Sequence, residues 1–297
     1  MMKMQKMYFY KDNVAVFLIK VIMILVCVVT IYPFWYVAIY SLSDGLAASV
    51  TVLTVLPVEL TLNNYKAVFM NNSIMNAFFI SVLRTVFGSA LHIIVTGLAA
   101  YTLSKRNLLF RKFLIPVFLI PMYFTGGLLP FYVLIIKINL DNNFLVYILP
   151  GAFSVFNMLV MKVYFEQLPA SLEEAARIDG AGELTVLTKI ILPSSMPVIA
   201  TIAMFVAVDQ WNAWFDALLF ITNQKLLPLQ TLLYKIIIES QATNLEQIMR
   251  FTQNDKSITP EAIKMATIMV SSVPIILVYP FLQKYFVKGI MIGAIKA

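Results

Sequence analysis

The sequence has few of the side chains on which metal sites, disulfides and nucleotide sites depend. It contains one cysteine, Cys27, and one histidine, His92, among 297 residues. No internal disulfide can form, and no histidine cluster can hold a metal ion. The motif GxxxxGK[ST] does not occur, and even the dipeptide Gly-Lys is missing. The chain therefore cannot bind and hydrolyse a nucleotide through a P-loop.

Charged residues are also scarce, and apolar residues take their place. The chain is 12% charged and 61% hydrophobic, with a mean hydropathy of +0.86, which is typical of a polytopic membrane protein. Its basic first residues, MMKMQKMYFYKDN, precede an apolar run longer than the core of a signal peptide, and no small-residue cleavage site follows. We interpret this run as a retained span.

Six apolar stretches are long enough to cross a bilayer, which takes about 20 helical residues. We predict an all-α polytopic protein with a single transmembrane domain over residues 1–297. The spans are expected at about 14–40, 76–103, 113–137, 143–165, 197–221 and 262–287, with a loop at 166–193 and long outer loops at 41–75 and 222–261.

The distribution of basic residues predicts the orientation of these spans. The short loop SKRNLLFRK (104–112) carries four basic residues and no acid, and such loops lie on the cytoplasmic side. Both termini and the loop at 166–193 are therefore predicted to be cytoplasmic. This sidedness explains the net charge of +7 better than nucleic-acid binding does.

One outer segment, LPLQTLLYKIIIES (227–240), repeats leucine and isoleucine at helical spacing. This pattern predicts a helix that lies on the membrane surface or on neighbouring spans. A docking surface for an extracellular partner is the alternative.

A dense group of charges interrupts the apolar pattern in the stretch EEAARIDGAGELTVLTKIILP (173–193), which holds six charged residues in twenty-one positions. Ser171 and Glu174 fit a capping box at the start of a helix. Glu173 and Arg177 stand four residues apart and can form an ion pair. Gly180 suits the position just after the helix.

A second short helix can begin near Glu183 and run to Leu192, where Pro193 ends it. Ala175 and Ala176 are small, so the first helix can approach another protein closely while the flanking acids stay in water. An ordinary solvated loop is the alternative. The cap, the small residues, the glycine and the proline together favour two built helices outside the bilayer.

This pattern resembles the EAA loop of permease subunits of binding-protein-dependent ABC importers. The matching positions keep the family's spacing and are Glu174, Ala175, Ala176, Gly180, Ile190, Leu192 and Pro193. Further stretches resemble the maltose-type sugar permeases, in particular the branch for oligosaccharides derived from polysaccharides: LPVELTLNNYKAVF, TGGLLP, LPGAFSVFNMLVMKVYF, WNAWFDALLF and KYFVKGIMIGAIK. The resemblance covers nearly the whole chain.

The resemblance implies a type I ABC importer permease fold with six transmembrane helices, and a transport subunit rather than an enzyme. The EAA helix would seat in a cleft of a cytoplasmic ATPase, which binds ATP and Mg, so the chain itself would hold no cofactor or metal. The implied coupling residues are Glu173, Glu174, Ala175, Ala176, Ile178, Asp179, Gly180, Leu192 and Pro193.

The resemblance also implies a set of partners. They are a companion permease that forms a heterodimer, two ATPase subunits, and an extracellular solute-binding protein that delivers an oligosaccharide. No nucleic-acid partner is implied, and the expected location is the cytoplasmic membrane of a bacterium.

Polar residues in the fifth predicted span are candidates for a sugar path. Asp209, Asn212 and Asp216 would lie on one stripe of a continuous helix, and charge inside a membrane is costly enough to indicate function. Acids and amides bind sugar hydroxyls, and tryptophan rings stack on sugars. Packing against the companion permease is the alternative. Three residues of sugar-binding type flank the stripe, namely Gln210, Trp211 and Trp214.

Prolines and glycines predict that the third span is broken, because Pro116, Pro121 and Pro130 interrupt it together with a glycine pair. Backbone freed at such a break must face a cavity or protein. Tyr123, Gly126 and Gly127 are therefore further candidates for the lining of the path.

In the second span, Arg84, Gly88 and His92 share one face at a spacing of four. One interpretation is a close helix contact with a buried hydrogen bond. The alternative is that Arg84 meets an anionic sugar, or pairs with Asp209 or Asp216.

Two other functions compete with the importer. In an ion- or proton-coupled secondary transporter, Asp209, Asp216 and His92 would carry protons, but no inverted repeat is visible and residues 173–193 stay unexplained. In an intramembrane enzyme, Asp209 and Asp216 would be about 10 Å apart along a helix, which is too far to share a proton.

Overall fold

The computed structural model describes residues 2–50, 55–239 and 258–294, and their side chains over 16–50, 55–238 and 258–278. In these ranges the regular elements are helices, apart from one isolated antiparallel bridge between Ser43 and Leu60. The all-α prediction is therefore confirmed for the described part of the chain.

Thirteen helices occur in these ranges. In chain order they are α1 (Met2–Ser41), α2 (Gly45–Ser49), α3 (Asn63–Met70), α4 (Asn72–Ser104), α5 (Arg111–Tyr123), α6 (Leu128–Lys137), α7 (Val155–Glu166), α8 (Ala170–Ile178), α9 (Glu183–Ser194), α10 (Met196–Asn212), α11 (Phe215–Phe220), α12 (Leu229–Glu239) and α13 (Pro260–Ala294). Short 3₁₀ turns lie at Phe144–Tyr147 and Gln224–Leu226.

The chain divides into two compact units. Unit 1 comprises Met1–Met70 and Ile237–Val270. Within it, the buried Asn64 amide donates to the carbonyls of Ser41 and Ser43 at 3.0 and 2.8 Å. These two bonds fix the segment that leaves α1, because a buried amide is costly unless it is hydrogen-bonded.

Unit 2 comprises Asn71–Ile236 and Ser271–Ala297 and contains the elements that carry the candidate sites. Its largest apolar core forms where α4 packs against α7 and α10. Small residues on α4 permit this close approach: Ala100 is fully buried in the core, and Gly97 faces the Met161 methyl group of α7.

Three helical segments are long and apolar enough to cross a membrane, namely Val16–Ser41, Asn72–Ser104 and Pro260–Val278. Two bent pairs raise the number to at most five in the described residues: Arg111–Tyr123 with Leu128–Lys137, bent by 107°, and Glu183–Ser194 with Met196–Asn212, bent by 82°. The first pair confirms that the third predicted span is broken. The chain leaves the break at Gly127, whose φ of +83° suits glycine.

Two other predicted spans are not single helices, and these predictions are corrected. Residues 143–165 begin with a 3₁₀ turn and pass through an irregular segment that contains Pro150 and Gly151. Only then does α7 begin, with Ser154 as its N-cap. Residues 197–221 break after Asn212, because Ala213 takes an extended conformation. No proline or glycine lies at that second break.

The outer helix predicted in residues 227–240 is confirmed as α12. Leu229 and Leu233 are buried, and the Leu229 amide donates to the Ser81 hydroxyl of α4 at 2.8 Å. These contacts favour the interpretation that α12 packs on neighbouring helices.

The glycines of α4 offer a test of how closely this helix packs against α10 and α7. An added methyl at Gly88 would come within 2.8 Å of the Gln210 side-chain amide, whereas at Gly97 the nearest atom would be 3.7 Å away. Gly88→Ala is expected to lower the free energy of unfolding by about 1–3 kcal/mol through overpacking. Gly97→Ala gains the same helix propensity without the clash and is the matched control. Equal thermal unfolding midpoints of the two purified variants would contradict the packing described here.

Candidate functional site

A buried arginine lies at the centre of unit 2. Arg84 is 1% exposed, and its Nη2 is 2.5 Å from Oδ2 of Asp216. Its Nη1 donates to Oδ1 of the same carboxylate at 3.3 Å and to the carbonyl of Ala213 at 3.1 Å. The guanidinium is therefore held by a two-pronged ion pair, the geometry that makes such pairs strong.

The guanidinium makes two further contacts. Its Nε donates to Oε1 of Gln210 at 3.3 Å, and its carbon lies 4.3 Å from the ring centroid of Tyr147. The Gln210 amide in turn donates to the Tyr147 carbonyl at 3.2 Å. The pairing of Arg84 with Asp216, one of the predicted alternatives, is therefore present, and pairing with Asp209 is not.

The single histidine fastens α4 to α7 and to the irregular segment before it. Nδ1 of His92 is 2.7 Å from the Gly151 carbonyl, and Nε2 is 2.9 Å from the Asn157 amide nitrogen. Because a carbonyl can only accept, Nδ1 carries the proton and Nε2 accepts from Asn157. Both ring nitrogens are thus engaged in holding helices together.

A cavity of about 360 Å³ opens beside this network. Asp209 projects into it, is exposed, and has no hydrogen-bond or ion-pair partner among the described residues. A free carboxylate, amides and aromatic rings can together bind a hydroxyl-rich ring. The polar lining is Arg84, His92, Ser154, Asn157, Asp209, Gln210 and Asp216, and the aromatic lining is Phe131, Tyr147, Phe153 and Phe220.

The cavity includes only part of the predicted sugar path. Asp209, Gln210 and Asp216 line it, whereas Asn212 does not. The prediction of one stripe on a continuous helix is wrong, because the break at Ala213 rotates Asp216 toward Arg84.

The two tryptophans pack within the protein instead of lining the cavity. The buried Trp211 donates its indole N–H to the Ser271 carbonyl at 2.9 Å, and the Trp214 ring stacks on Tyr234 at 4.2 Å. Tyr123, Gly126 and Gly127 are exposed at the bend between α5 and α6 and also lie outside the cavity lining.

Asn157 and Tyr147 are lining residues that sequence reasoning missed. Asn157 is an amide within the apolar stretch VFNMLVM, and this lone polar residue was a signal that could have identified it. Tyr147 carried no comparable signal, since aromatic residues are common throughout the chain.

A second candidate site is the coupling element, which we define as residues 170–194, formed by α8 and α9. The predicted position of Gly180 just after the helix is confirmed: its φ is +82°, and its amide donates to the Arg177 carbonyl at 3.1 Å. The next amide, of Ala181, donates to the Ala176 carbonyl at 2.9 Å. This pair of bonds is a Schellman motif, which ends α8 at a defined residue.

The predicted boundaries at the other ends of these helices are corrected. Ser171 does not cap α8, because the helix begins one residue earlier with Pro169 at the cap position and no side-chain cap. The α9 helix begins at Glu183 as predicted, but it continues through Pro193 and ends at Ser194. Pro193 lies at the start of the last turn, after a π turn at Leu187–Ile191, which lets the helix pass it.

Ion pairs hold the coupling element to the end of α4. Lys105 pairs with Glu173, and the Tyr101 hydroxyl donates to Oε2 of Glu183 at 2.7 Å. Arg177 lies 2.7 Å from Glu183 and 3.8 Å from Glu173, so the predicted Glu173–Arg177 pair is present but long. The hydrogen bond from Tyr101, together with Arg177, lowers the pKa of the Glu183 carboxyl.

The opposite side of the element faces outward. Ala176 is buried against the chain, while Glu174, Ala175 and Asp179 are exposed. Two large apolar side chains stand out beside them: Ile178 is 86% and Leu184 is 72% exposed. An apolar surface of this kind with acidic neighbours is typical of a protein contact.

Comparison with known proteins identifies a family whose model covers most of both candidate sites. The family model for the binding-protein-dependent transport system inner membrane component matches residues 93–292, which include most of the cavity lining and the whole coupling element. The chain belongs to this family. This membership confirms the predicted resemblance to ABC importer permeases and favours it over an ion-coupled transporter.

Two proteins of Bacillus subtilis (strain 168) are similar to this chain over almost its full length. Protein LplC of Bacillus subtilis (strain 168) is 39% identical over 90% of this chain and 90% of its own length. The polygalacturonan/rhamnogalacturonan transport system permease protein YtcP of the same organism is 33% identical over 96% of this chain and 99% of its own length.

A solved structure shows the same fold. One chain of a bacterial ABC transporter involved in the import of the acidic polysaccharide alginate superposes with a TM-score of 0.86 at 32% identity. The match covers 93% of this chain and 98% of that one. The type I ABC permease fold that the sequence predicts is therefore confirmed.

Removing one partner of the Arg84–Asp216 ion pair tests how much the pair contributes to the free energy of unfolding. Asp216→Asn keeps the size of the side chain but leaves the buried Arg84 charge unpaired, which is expected to cost about 3 kcal/mol or more in unfolding free energy. Asp209→Asn, in the same cavity but without a partner, is the matched control and should change it by less than about 0.5 kcal/mol. Thermal unfolding of the purified chain measures both, and equal midpoints would contradict the assignment.

Proposed function

We propose that this chain is the permease subunit of an ATP-driven importer of oligosaccharides. The family supplies the transport role, and the sugar specificity is proposed from the relatives and the cavity. Relatives named for carbohydrate transport include YtcP and the melibiose/raffinose/stachyose import permease protein MelC of Bacillus subtilis (strain 168). MelC is 27% identical over 82% of this chain. A cavity with a free carboxylate and four aromatic rings suits such a substrate.

One observation supports coupling most directly: the coupling element is joined to α4 and α10, two of the helices that line the cavity. At one end, Lys105 and Tyr101 connect Glu173 and Glu183 to the end of α4. At the other end, α9 runs through Ser195 directly into α10. Helix α4 carries Arg84 and His92, and α10 carries Asp209 and Gln210. A displacement of the element is therefore passed to two helices of the cavity lining.

In this proposal the exposed face of α8 seats in a cleft of a cytoplasmic ATPase. Ala175 lets the two backbones approach, Ile178 and Leu184 fill apolar depressions, and Glu174 and Asp179 meet a basic rim. Two such ATPase subunits bind ATP and Mg and perform the hydrolysis. Leu192 and Pro193 belong to the stiff end of α9, which passes the displacement on to α10.

The complete importer would also contain a companion permease and an extracellular solute-binding protein. The companion permease forms a heterodimer with this chain and contributes the other side of the path. Both termini and the coupling element lie in the cytoplasm of a bacterium, as the basic loop at 104–112 indicates.

Within the path, Asp209 accepts hydrogen bonds from sugar hydroxyls while Asp216 is neutralised by Arg84. The exposed residues Tyr123, Gly126 and Gly127 at the bend between α5 and α6 belong to the part of the path that the companion permease completes. Trp211 and Trp214 support α10 and α11 outside the cavity lining. Asn212 is exposed and lies outside the lining as well.

The glycine at the end of α8 gives a test of coupling. Gly180→Val places a β-branched residue at φ +82°, which unravels the Schellman motif. Gly182→Val is the matched control, because φ is −74° there and a side chain would have open space. In the complete importer, Gly180→Val is expected to lose uptake and the stimulation of ATP hydrolysis by sugar, with normal membrane levels. Normal uptake by Gly180→Val would refute the coupling role.

Glu174→Lys should also lose uptake and the stimulation of ATP hydrolysis by sugar, because it reverses the charge at the ATPase contact.

The free carboxylate gives a test of the path. Asp209→Ala is expected to reduce uptake about tenfold, because each hydrogen bond to a charged group contributes about 1.5–3 kcal/mol. Asn212→Ala removes a polar side chain one turn away, outside the cavity, and should leave uptake unchanged. Uptake kinetics in membrane vesicles, with complex assembly checked by co-purification, distinguish the two. Should both variants transport normally, the cavity is not part of the path.

A further inference from the structure

The loop at 105–112, which includes the first two residues of α5, carries four cations, and two of them are already used within the chain. Lys105 pairs with Glu173 and lies 4.0 Å from the centroid of the Tyr101 ring. Arg111 pairs with Glu166 and donates to the Leu103 carbonyl at 3.0 Å. These two side chains are turned toward the coupling element and the end of α7.

The other two cations face outward. Arg106 and Lys112 are exposed, and neither side chain has an ion pair or hydrogen bond in the part of the chain that the structure describes. No acidic side chain of the described residues neutralises them. Two positive charges are therefore available to an external anion.

Bulky apolar residues lie close in sequence to these two cations. Leu109, Phe110 and Phe113 are 73%, 71% and 69% exposed. Phe110 has a φ of +58°, which is uncommon for an aromatic residue. Its carbonyl accepts from the amides of Phe113 and Leu114 at 2.8 and 3.0 Å, so the apex of the loop has a defined shape.

We propose that the loop at 105–112 is a binding site for an anionic phospholipid, with Arg106 and Lys112 on the phosphate groups and Leu109 and Phe110 in the acyl region. The combination of two unpaired cations and an apolar apex matches a surface that is anionic outside and apolar within. An acidic protein surface would match the charges but would leave the apex in water. The inference rests on the membrane location of the family and does not depend on the proposed sugar path.

Lipid binding at this loop has a consequence for the coupling element. The inward-facing cations of the loop hold Glu173 and Glu166, at the start of α8 and the end of α7. A lipid held by the outward-facing cations would therefore fix the height of the coupling element relative to the membrane surface. The loop would connect the lipid headgroups to α8, the helix that contacts the ATPase in the proposed importer.

Native mass spectrometry of the detergent-purified full chain, titrated with phosphatidylglycerol or phosphatidylcholine, tests the proposal. The variant pair Arg106→Gln and Lys112→Gln should weaken retention of phosphatidylglycerol about thirtyfold and leave phosphatidylcholine unchanged. Lys66→Gln with Lys137→Gln removes the same charge from exposed lysines elsewhere and is the matched control. Arg106→Lys with Lys112→Arg should retain the lipid, which separates charge from folding.

A second measurement tests whether the apex of the loop lies in the lipid. In a Cys27→Ser background, a fluorophore on Leu109→Cys should be quenched by spin-labelled phosphatidylglycerol in nanodiscs, and the glutamine pair should reduce the quenching. Equal loss of lipid in the glutamine pair and in the lysine control would overturn the proposal as unspecific charge attraction. Unchanged lipid retention together with lost ATPase binding would overturn it in favour of a protein contact.

Discussion

The guanidinium of Arg84 must remain charged inside an apolar helix bundle, and the rest of unit 2 is arranged around that requirement. Arginine does not lose its proton in proteins, and an unpaired buried charge is among the costliest features that a fold can contain. Asp216, the Ala213 carbonyl, Gln210 and the Tyr147 ring together surround the charge. To supply the first two, α10 has to end at Asn212. The break in the helix is therefore tied to the ion pair, and the cavity opens beside it.

The coupling element is held to the rest of unit 2 mainly by apolar packing. Its residues Val186, Leu187 and Ile191 are buried in the core that α4, α7 and α10 also form. Its ion pairs add less, because Arg177 and Glu183 are 44% and 60% exposed, and ion pairs at such positions contribute only about 0–1 kcal/mol each. An element packed into the core moves together with the helices that it contacts. This packing is the physical basis of the proposed coupling.

Sequence reasoning succeeded where the cause of a structure is local and failed where it is tertiary. Gly180 ends α8 because only a residue that tolerates positive φ fits there, and this requirement is visible in the sequence itself. The broken third span was equally predictable from its prolines and glycines. The break at Ala213 was not predictable, because its cause is a contact with a distant residue. It places the Ala213 carbonyl beside Arg84, which lies 129 positions away. For the same reason, Trp211 and Trp214 were assigned to the path although they pack behind it.

The central claim is that α8 is the part of the chain that binds in the cleft of an ATPase. The most direct measurement is disulfide cross-linking between Ile178→Cys, in a Cys27→Ser background, and single cysteines along the cleft of the ATPase purified with the same importer. The account predicts efficient cross-linking at positions deep in that cleft, with a yield that changes when ATP is added. Failure to cross-link at any cleft position, in a complex that still imports sugar, would contradict it.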